Sequence, residues 1–250
     1  MQLSSEAFVL AVQEAVTRVA ESQRPGVLKA AGIIVQALRA EGVVHAFGTG
    51  HSEAFAMEIA GRAGGLVPTN RLSLRDLVLI GGDSPQVLTD PFLERDPGTA
   101  RRIYDLAPVR PGDVFMIASN SGVNGCVVEL ARLAKQNAHP LIVVTSLDHT
   151  HAVESRHPSG RRLADFADVV LDNGAPYGDA VLPLPTGGAA CGLSSITAAL
   201  LGQMIVAEVL RELLAEGARP PVYLSANVPG GDAHNRELEA RYAGRLVRMA

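Results

Sequence analysis

The chain has little cysteine: Cys126 and Cys191 are the only two, with no CxxC pair or other metal-ligand spacing. That excludes a disulfide framework and leaves reduced, small apolar residues in a protein expected to be cytoplasmic. A basic surplus is also missing. The formal net charge is −4, so neither nucleic acid nor an anionic membrane is an expected partner. No segment supplies the ~20 consecutive apolar residues of a membrane span. The N-terminal stretch has no basic start followed by an unbroken apolar segment, because Glu14, Arg18 and Glu21 interrupt it. It is therefore not read as a signal peptide.

What is present fits a globular enzyme-sized protein, with 47% hydrophobic and 19% charged residues in 250. That length suits one large α/β domain or two small ones, and a chain of this size buries roughly 70–75% of its unfolded surface without needing a disulfide or metal. Residues 4–22 and 27–40 read as amphipathic helices, the second ending at Gly42. "VVHAFG" is the first β-prone run; a polar turn and a helix over about 52–63 follow, and "AGGLVPTN" leads into a short second strand. "DLVLIGG" fits a strand or a helix end equally. Asp96-Pro97 reads as an N-cap with proline at the first helical position, opening a helix to about Ala107. "GDVFMIASNSG", "HPLIVVTS" and "ADVVLDN" are strands, "CVVELARLAKQN" is a helix, and a long apolar helix runs from Ser194 to Glu216.

Strands alternating with helices and apolar on both faces predict an α/β, doubly wound parallel sheet covered by helices on both faces. The simplest account is one domain over 1–250, with N-terminal helices at about 4–40 and a C-terminal helical appendage at about 220–250. The stretch 81–98 is long and turn-rich for a connection inside such a domain, which marks it as functional or disordered.

Two strand-to-helix turns carry the chemistry. Gly48-Thr49-Gly50-His51-Ser52 follows the first strand, and Ser119-Asn120-Ser121-Gly122-Val123-Asn124 follows the third. Glycines let the backbone approach a ligand, hydroxyl and amide side chains donate hydrogen bonds, and a helix N-terminus adds unpaired N–H groups and partial positive charge. Neither turn has the lysine of a Walker A loop, and the first does not complete G-x-G-x-x-G, so a nucleotide cofactor is disfavoured. With strand order 2-1-3-4-5 the two turns lie side by side at the carboxyl edge of the sheet, where such folds bind ligands. Each turn alone could be a pair of helix caps. Together, on neighbouring strands, they favour phosphate binding.

The pair of turns resembles the sugar isomerase (SIS) family of phosphosugar-binding domains, over roughly Val27 to Glu216. In that family a G-x-G-x-S turn and an S-x-S-G-x-T turn hold a sugar phosphate. This chain has Asn124 where threonine is usual. "SRHPSGRRLADFADVVLDN" and "SANVPGGDAHNREL" further resemble a single-domain subgroup of the family labelled as sugar isomerases. The resemblance implies a flavodoxin-like strand order. It also implies a phosphorylated sugar as ligand and a substrate site at Gly48, Thr49, Gly50, His51, Ser52, Ser119, Asn120, Ser121, Gly122 and Asn124.

Aldose–ketose isomerisation through an enediol(ate) needs a base beside a carbonyl and a group that moves a hydroxyl proton. Glu53 and Glu58, after the first turn, and His234, in "GGDAHN", are the candidates. Glu53 could instead be a favourable charge at a helix start, Glu58 part of a solvated face, and His234 a surface histidine. In a heptose-phosphate isomerase branch of the family, the helix after the first turn supplies a metal-binding histidine and then a catalytic glutamate. These fall at Glu58 and Arg62 here, so that arrangement does not carry over intact. Family members often receive a histidine from a neighbouring subunit's C-terminal segment, a role open to His234.

Asp148, His149, His151 and His157 invite a metal reading, but Arg156, Arg161 and Arg162 make the segment better suited to an anion, an interface or a lid. No metal or other cofactor is expected. Ser194 and Ser195 read as the cap of the long helix or as part of the pocket. Glu208 is either a buried carboxylate or one paired with arginine. The alternatives to isomerisation are a sugar-phosphate etherase or lyase, which needs two placed carboxylates, and a non-catalytic sugar-phosphate sensor. Val27, Ile33, Ile34 and Leu38 suggest subunit contact, hence a homodimer or homotetramer.

Overall fold

Alternation along the strands decides which side chains face which layer. In β1 (Val44–Gly48) and β3 (Val114–Ala118), Val44, Ala46, Val114, Met116 and Ala118 point to one side, and Phe47, Phe115 and Ile117 to the other. β4 (Leu141–Thr145) divides its residues likewise, Ile142 and Val144 against Leu141 and Val143. All three strands are buried throughout, as a sheet covered on both faces requires. The computed structural model describes residues 3–248.

With β2 (Thr69–Leu72) and β5 (Val169–Asp172) these strands form a five-stranded parallel sheet of order β2-β1-β3-β4-β5. One face is covered by α2 (Arg24–Arg39), α3 (Glu53–Ile59) and the long α8 (Ser194–Ala215), with α1 (Ser5–Ser22) contributing Val19. The other face carries α5 (Pro97–Leu106) and α6 (Gly125–Gln136), while α4 (Asp76–Leu79) adds Leu77. Burying each large aliphatic side chain contributes roughly 1.5–3 kcal/mol before chain entropy is subtracted. Among the described residues no helix is long and apolar enough to cross a membrane.

Several local expectations are corrected. The helix after the first turn stops at Ile59 rather than near residue 63, because Gly61 takes a left-handed φ of +76°. The Asp148–His157 segment is partly helical: α7 (Leu147–Ala152) is started by Ser146 Oγ, which accepts from His149 N at 3.0 Å. An unanticipated antiparallel hairpin, β6 (Ala180–Pro183) and β7 (Ala189–Gly192), precedes α8. Ser194 does not cap α8. Asp179 does, accepting from Leu193 N and Ser194 N at 3.1 and 2.7 Å and from Ser194 Oγ at 2.8 Å. Val27 and Ile34 are buried in the chain's own core, and Ile33 and Leu38 pack against it, so these four do not form a free subunit surface. Of the two alternatives for Glu208 the arginine pair is the one found, with Arg211 at 2.5 Å.

The C-terminal part closes the β2 edge. After α8 an isolated bridge joins Leu66 to Val222, and α9 (Gly231–Ala240) packs Leu238 beside Tyr223, Val43 and Val67. Asn70 then grips the terminal segment from both sides: Nδ2 donates to Arg245 O at 2.8 Å and Oδ1 accepts from Val247 N at 2.9 Å. Beneath it, buried Asp113 accepts from Val43 N, Arg110 N and Arg245 Nη2 and bonds His45 Nε2. Arg248 Nη1 also donates to Thr69 O at 2.7 Å, so the C-terminal segment occupies part of this sheet edge.

Candidate active site

Parallel register brings the two turns together. Val44 to Gly48 pair with Val114 to Ala118 in step, so the chain leaves both strands at the same height and the turns emerge side by side. In the first, Gly48 has no alternative. A Cβ there would lie 2.2 Å from Ser52 O. Thr49 is extended and buried, and Gly50 has φ +56°. No acceptor among the described residues takes the N–H of Thr49, Gly50 or His51.

The second turn is held by its carbonyls. Ser119 O accepts from Thr145 Oγ1 at 2.7 Å, Asn120 O from Ser146 N at 3.1 Å, and Ser121 O from Thr150 Oγ1 at 2.9 Å. Gly122 O accepts from Leu163 N at 2.8 Å and Val123 O from Arg156 N at 3.0 Å. With these carbonyls turned toward β4, α7 and the segment beyond, the N–H groups of Asn120, Ser121, Val123, Asn124 and Gly125 meet no acceptor among the described residues. Gly122 N alone is turned inward, onto Ser119 Oγ at 3.1 Å. Unpaired N–H groups at the start of the 12-residue α6, with the helix dipole behind them, are the kind of donor set that suits an anion. Ser52 and Asn124 make no side-chain capping bond, so the simple cap reading fails for both.

Between the turns lies a residue that motif reading missed. Glu94, at the end of the long 81–98 stretch, accepts from Asn124 Nδ2 at 2.9 Å. Its other oxygen sits 3.8 Å from where a side chain on Gly50 would begin. One half-buried carboxylate thus spans both turns. Its backbone is wedged in place: Arg95 O lies where a Cβ on Gly125 would stand, 2.2 Å away. The length of the 81–98 connection was the only sequence signal for this residue. Asn173, just past β5, was also missed; it is buried and donates to Asn120 Oδ1 at 3.0 Å.

His51, Ser52, Ser119, Asn120, Asn173, Ser194 and Ser195 line one narrow cleft, whose free volume of about 10 Å³ holds roughly one water. On the other side of the second turn, Ser121, Asn124, His149 and Arg156 line an open cavity of about 600 Å³, within the usual range for a small-molecule site.

The anticipated acid–base groups do not all converge here. Glu53 accepts from Ser73 Oγ at 2.8 Å, toward the end of β2. The neighbouring Asp76 accepts from Ser73 N at 2.8 Å, and burial pushes its carboxyl above the ordinary range against that hydrogen bond. Glu58 points elsewhere, pairing with Arg62 and accepting from Gln203 Nε2 at 2.6 Å. His234 Nε2 bonds Val222 O at 2.9 Å. Val222 bridges Leu66, ahead of the start of β2, so within one chain His234 sits toward the opposite end of the strands from the turns. His157 is buried against Glu129 at 2.9 Å, away from His149. Among the described residues no three histidine, cysteine, aspartate or glutamate side chains are grouped to hold a metal.

Known proteins share this plan. The model of the SIS domain matches residues 7–146. A UPF0309 protein of Listeria monocytogenes is 37% identical over 233 residues, covering 92% of this chain and 93% of its own. A UPF0309 protein of Brucella canis is 39% identical over 221 residues, 87% of each. Among solved structures, phosphoheptose isomerase from Neisseria gonorrhoeae superposes with a TM-score of 0.56 at 20% identity, covering 82% of this chain and 96% of that one. At that identity the likeness is one of fold.

Proposed function

The chain belongs to the SIS-domain family, and from that premise we propose that it binds a phosphorylated sugar across the two turns and interconverts its aldose and ketose forms through an enediol(ate). One observation carries the reading. A single carboxylate, Glu94, lies between two turns in which the N–H groups of Thr49, Gly50, His51, Asn120, Ser121, Val123 and Asn124 have no protein acceptor among the described residues.

In this scheme the N–H groups and hydroxyls of the second turn hold the phosphate. The sugar carbons then lie over the first turn, and Glu94 removes the proton from the carbon beside the carbonyl. The N–H groups of Thr49, Gly50 and His51 stabilise the enediolate oxygen, and the proton returns to the adjacent carbon. A general base of this kind contributes typically 10²–10⁴-fold. The sequence candidates enter as secondary roles: Glu53 next to the first turn, Glu58 as a structural partner of Arg62, and His234 as a group offered to a second copy in a homodimer or homotetramer.

The test is a panel of sugar phosphates and their unphosphorylated parents, scored by thermal shift and then by solvent-deuterium incorporation. A ligand at 100 times its Kd stabilises by roughly 2.7 kcal/mol. We expect a phosphate-dependent shift with deuterium exchange at the carbon beside the carbonyl, the exchange falling 10²–10⁴-fold in Glu94→Gln while the shift persists. A shift without exchange would leave a sensor instead of an enzyme. No shift from any phosphate would refute the site.

A further inference from the structure

The second turn departs from the family pattern at Asn124, and its surroundings supply a reason. Asn124 is a two-sided bridge: Nδ2 donates to Glu94 Oε1 at 2.9 Å, and Oδ1 accepts from Arg156 Nη1 at 3.2 Å. A threonine hydroxyl would have to donate to the acid and accept from the base at a single atom, whereas the amide does so from two atoms set apart. The three arginines of the following segment are used differently. Arg162 donates to Thr150 O at 3.0 Å and Val153 O at 2.9 Å, binding the segment to itself. Arg161 lies 3.8 Å over the Phe166 ring and donates to Asp165 O. Arg156 forms no ion pair among the described residues, and its own N–H, bonded to Val123 O, pins it to the turn.

We propose that Arg156 is the residue that reads the ligand's phosphate, a specificity role deepening the reading above and resting on it. The turns supply N–H groups and hydroxyls but no full positive charge, whereas a phosphate monoester at neutral pH carries close to two negative charges. A guanidinium offers a planar fork matched to two phosphate oxygens. Arg156 opens onto the same 600 Å³ cavity as Ser121 and Asn124. Glu154 is the one acidic residue of that lining, and it is exposed to solvent. Phosphate arriving at Arg156 removes the donor from Asn124 Oδ1. The amide is then free to turn its N–H toward the phosphate, which releases Glu94 for the sugar. Phosphate at one end of the substrate thereby prepares the base at the other.

The experiment is ³¹P line broadening of inorganic phosphate by wild type, Arg156→Ala and Arg156→Lys, each over a salt series. We expect Arg156→Ala to weaken binding about ten- to hundredfold, as loss of a charge-assisted hydrogen bond predicts. Arg156→Lys should recover part of it, and the fall of affinity with salt should flatten in the alanine variant. Equal broadening by wild type and Arg156→Ala would overturn the role of Arg156 while leaving the phosphate site standing. No broadening by wild type would overturn both.

Discussion

Replacing Asp113 by asparagine should separate two contributions to stability. The buried carboxylate takes Val43 N at 2.9 Å and Arg245 Nη2 at 2.5 Å on one oxygen, and Arg110 N at 2.8 Å and His45 Nε2 at 3.0 Å on the other. Burial alone would raise its pKa. The bonds from His45, Val43 N and Arg110 N outweigh burial and hold it at about 2, against 3.8 unperturbed. A depressed folded pKa gives stability that is complete above the unfolded value and lost as pH falls through the folded one. At 1.36 kcal/mol per pKa unit this is roughly 2 kcal/mol, about half of it gone by pH 3. The substitution itself removes one charge of a buried pair and turns an amide N–H toward other donors, at a cost of about 3–5 kcal/mol at pH 7. Urea unfolding of both proteins at pH 7 and pH 3 measures the difference directly, because all other carboxylates cancel in it. The gap between wild type and Asp113→Asn should narrow by about 1 kcal/mol at pH 3. A gap of equal size at both pH values would refute the argument, since it would mean that Asp113 titrates alike in both states.

Other expectations are quicker to check. Gly48→Ala would place a Cβ 2.2 Å from Ser52 O, so the first turn must move; the thermal shift given by a sugar phosphate should vanish although the protein still folds. If His234 serves a second copy, mixing inactive His234→Ala with inactive Glu94→Gln under subunit exchange should restore partial turnover, and no recovery would confine the chemistry to one chain. Burial pushes the Cys126 thiol up, whereas Cys191 is exposed. Ellman's reagent should therefore label one thiol in the native protein and the second only on unfolding. Rapid labelling of both would contradict the burial of α6.

Much of the architecture was legible because it is written in local periodicity. The apolar runs at 43–48, 113–118 and 140–145 became β1, β3 and β4, and Asp96 caps α5 by accepting from Gly98 N at 2.9 Å. The hairpin β6–β7 was not legible: four residues per strand, broken by Pro183 and Pro185, carry no alternation strong enough to read. The missed site residues share a different cause. Asn173 and Glu94 lie 53 and 30 residues from the side chains they bond, and nothing in their immediate sequence marks them out. Asp179 reaches α8 in the same way from outside the helix that it caps.

By itself, then, the sequence determined an alternating α/β chain and two glycine-rich turns suited to an anion. Both follow from short-range rules, the period of apolar residues and the backbone freedom of glycine, which act over a few neighbours. Only the tertiary structure decided that the 81–98 connection folds back to set Glu94 between those turns. It also directed Glu58 to Gln203 and Arg62 and His234 to Val222, away from the crevice. Those outcomes depend on which distant surfaces pack together. A carboxylate is available as a base only if folding leaves one of its oxygens unclaimed beside the ligand, as it leaves Glu94 Oε2 beside Gly50.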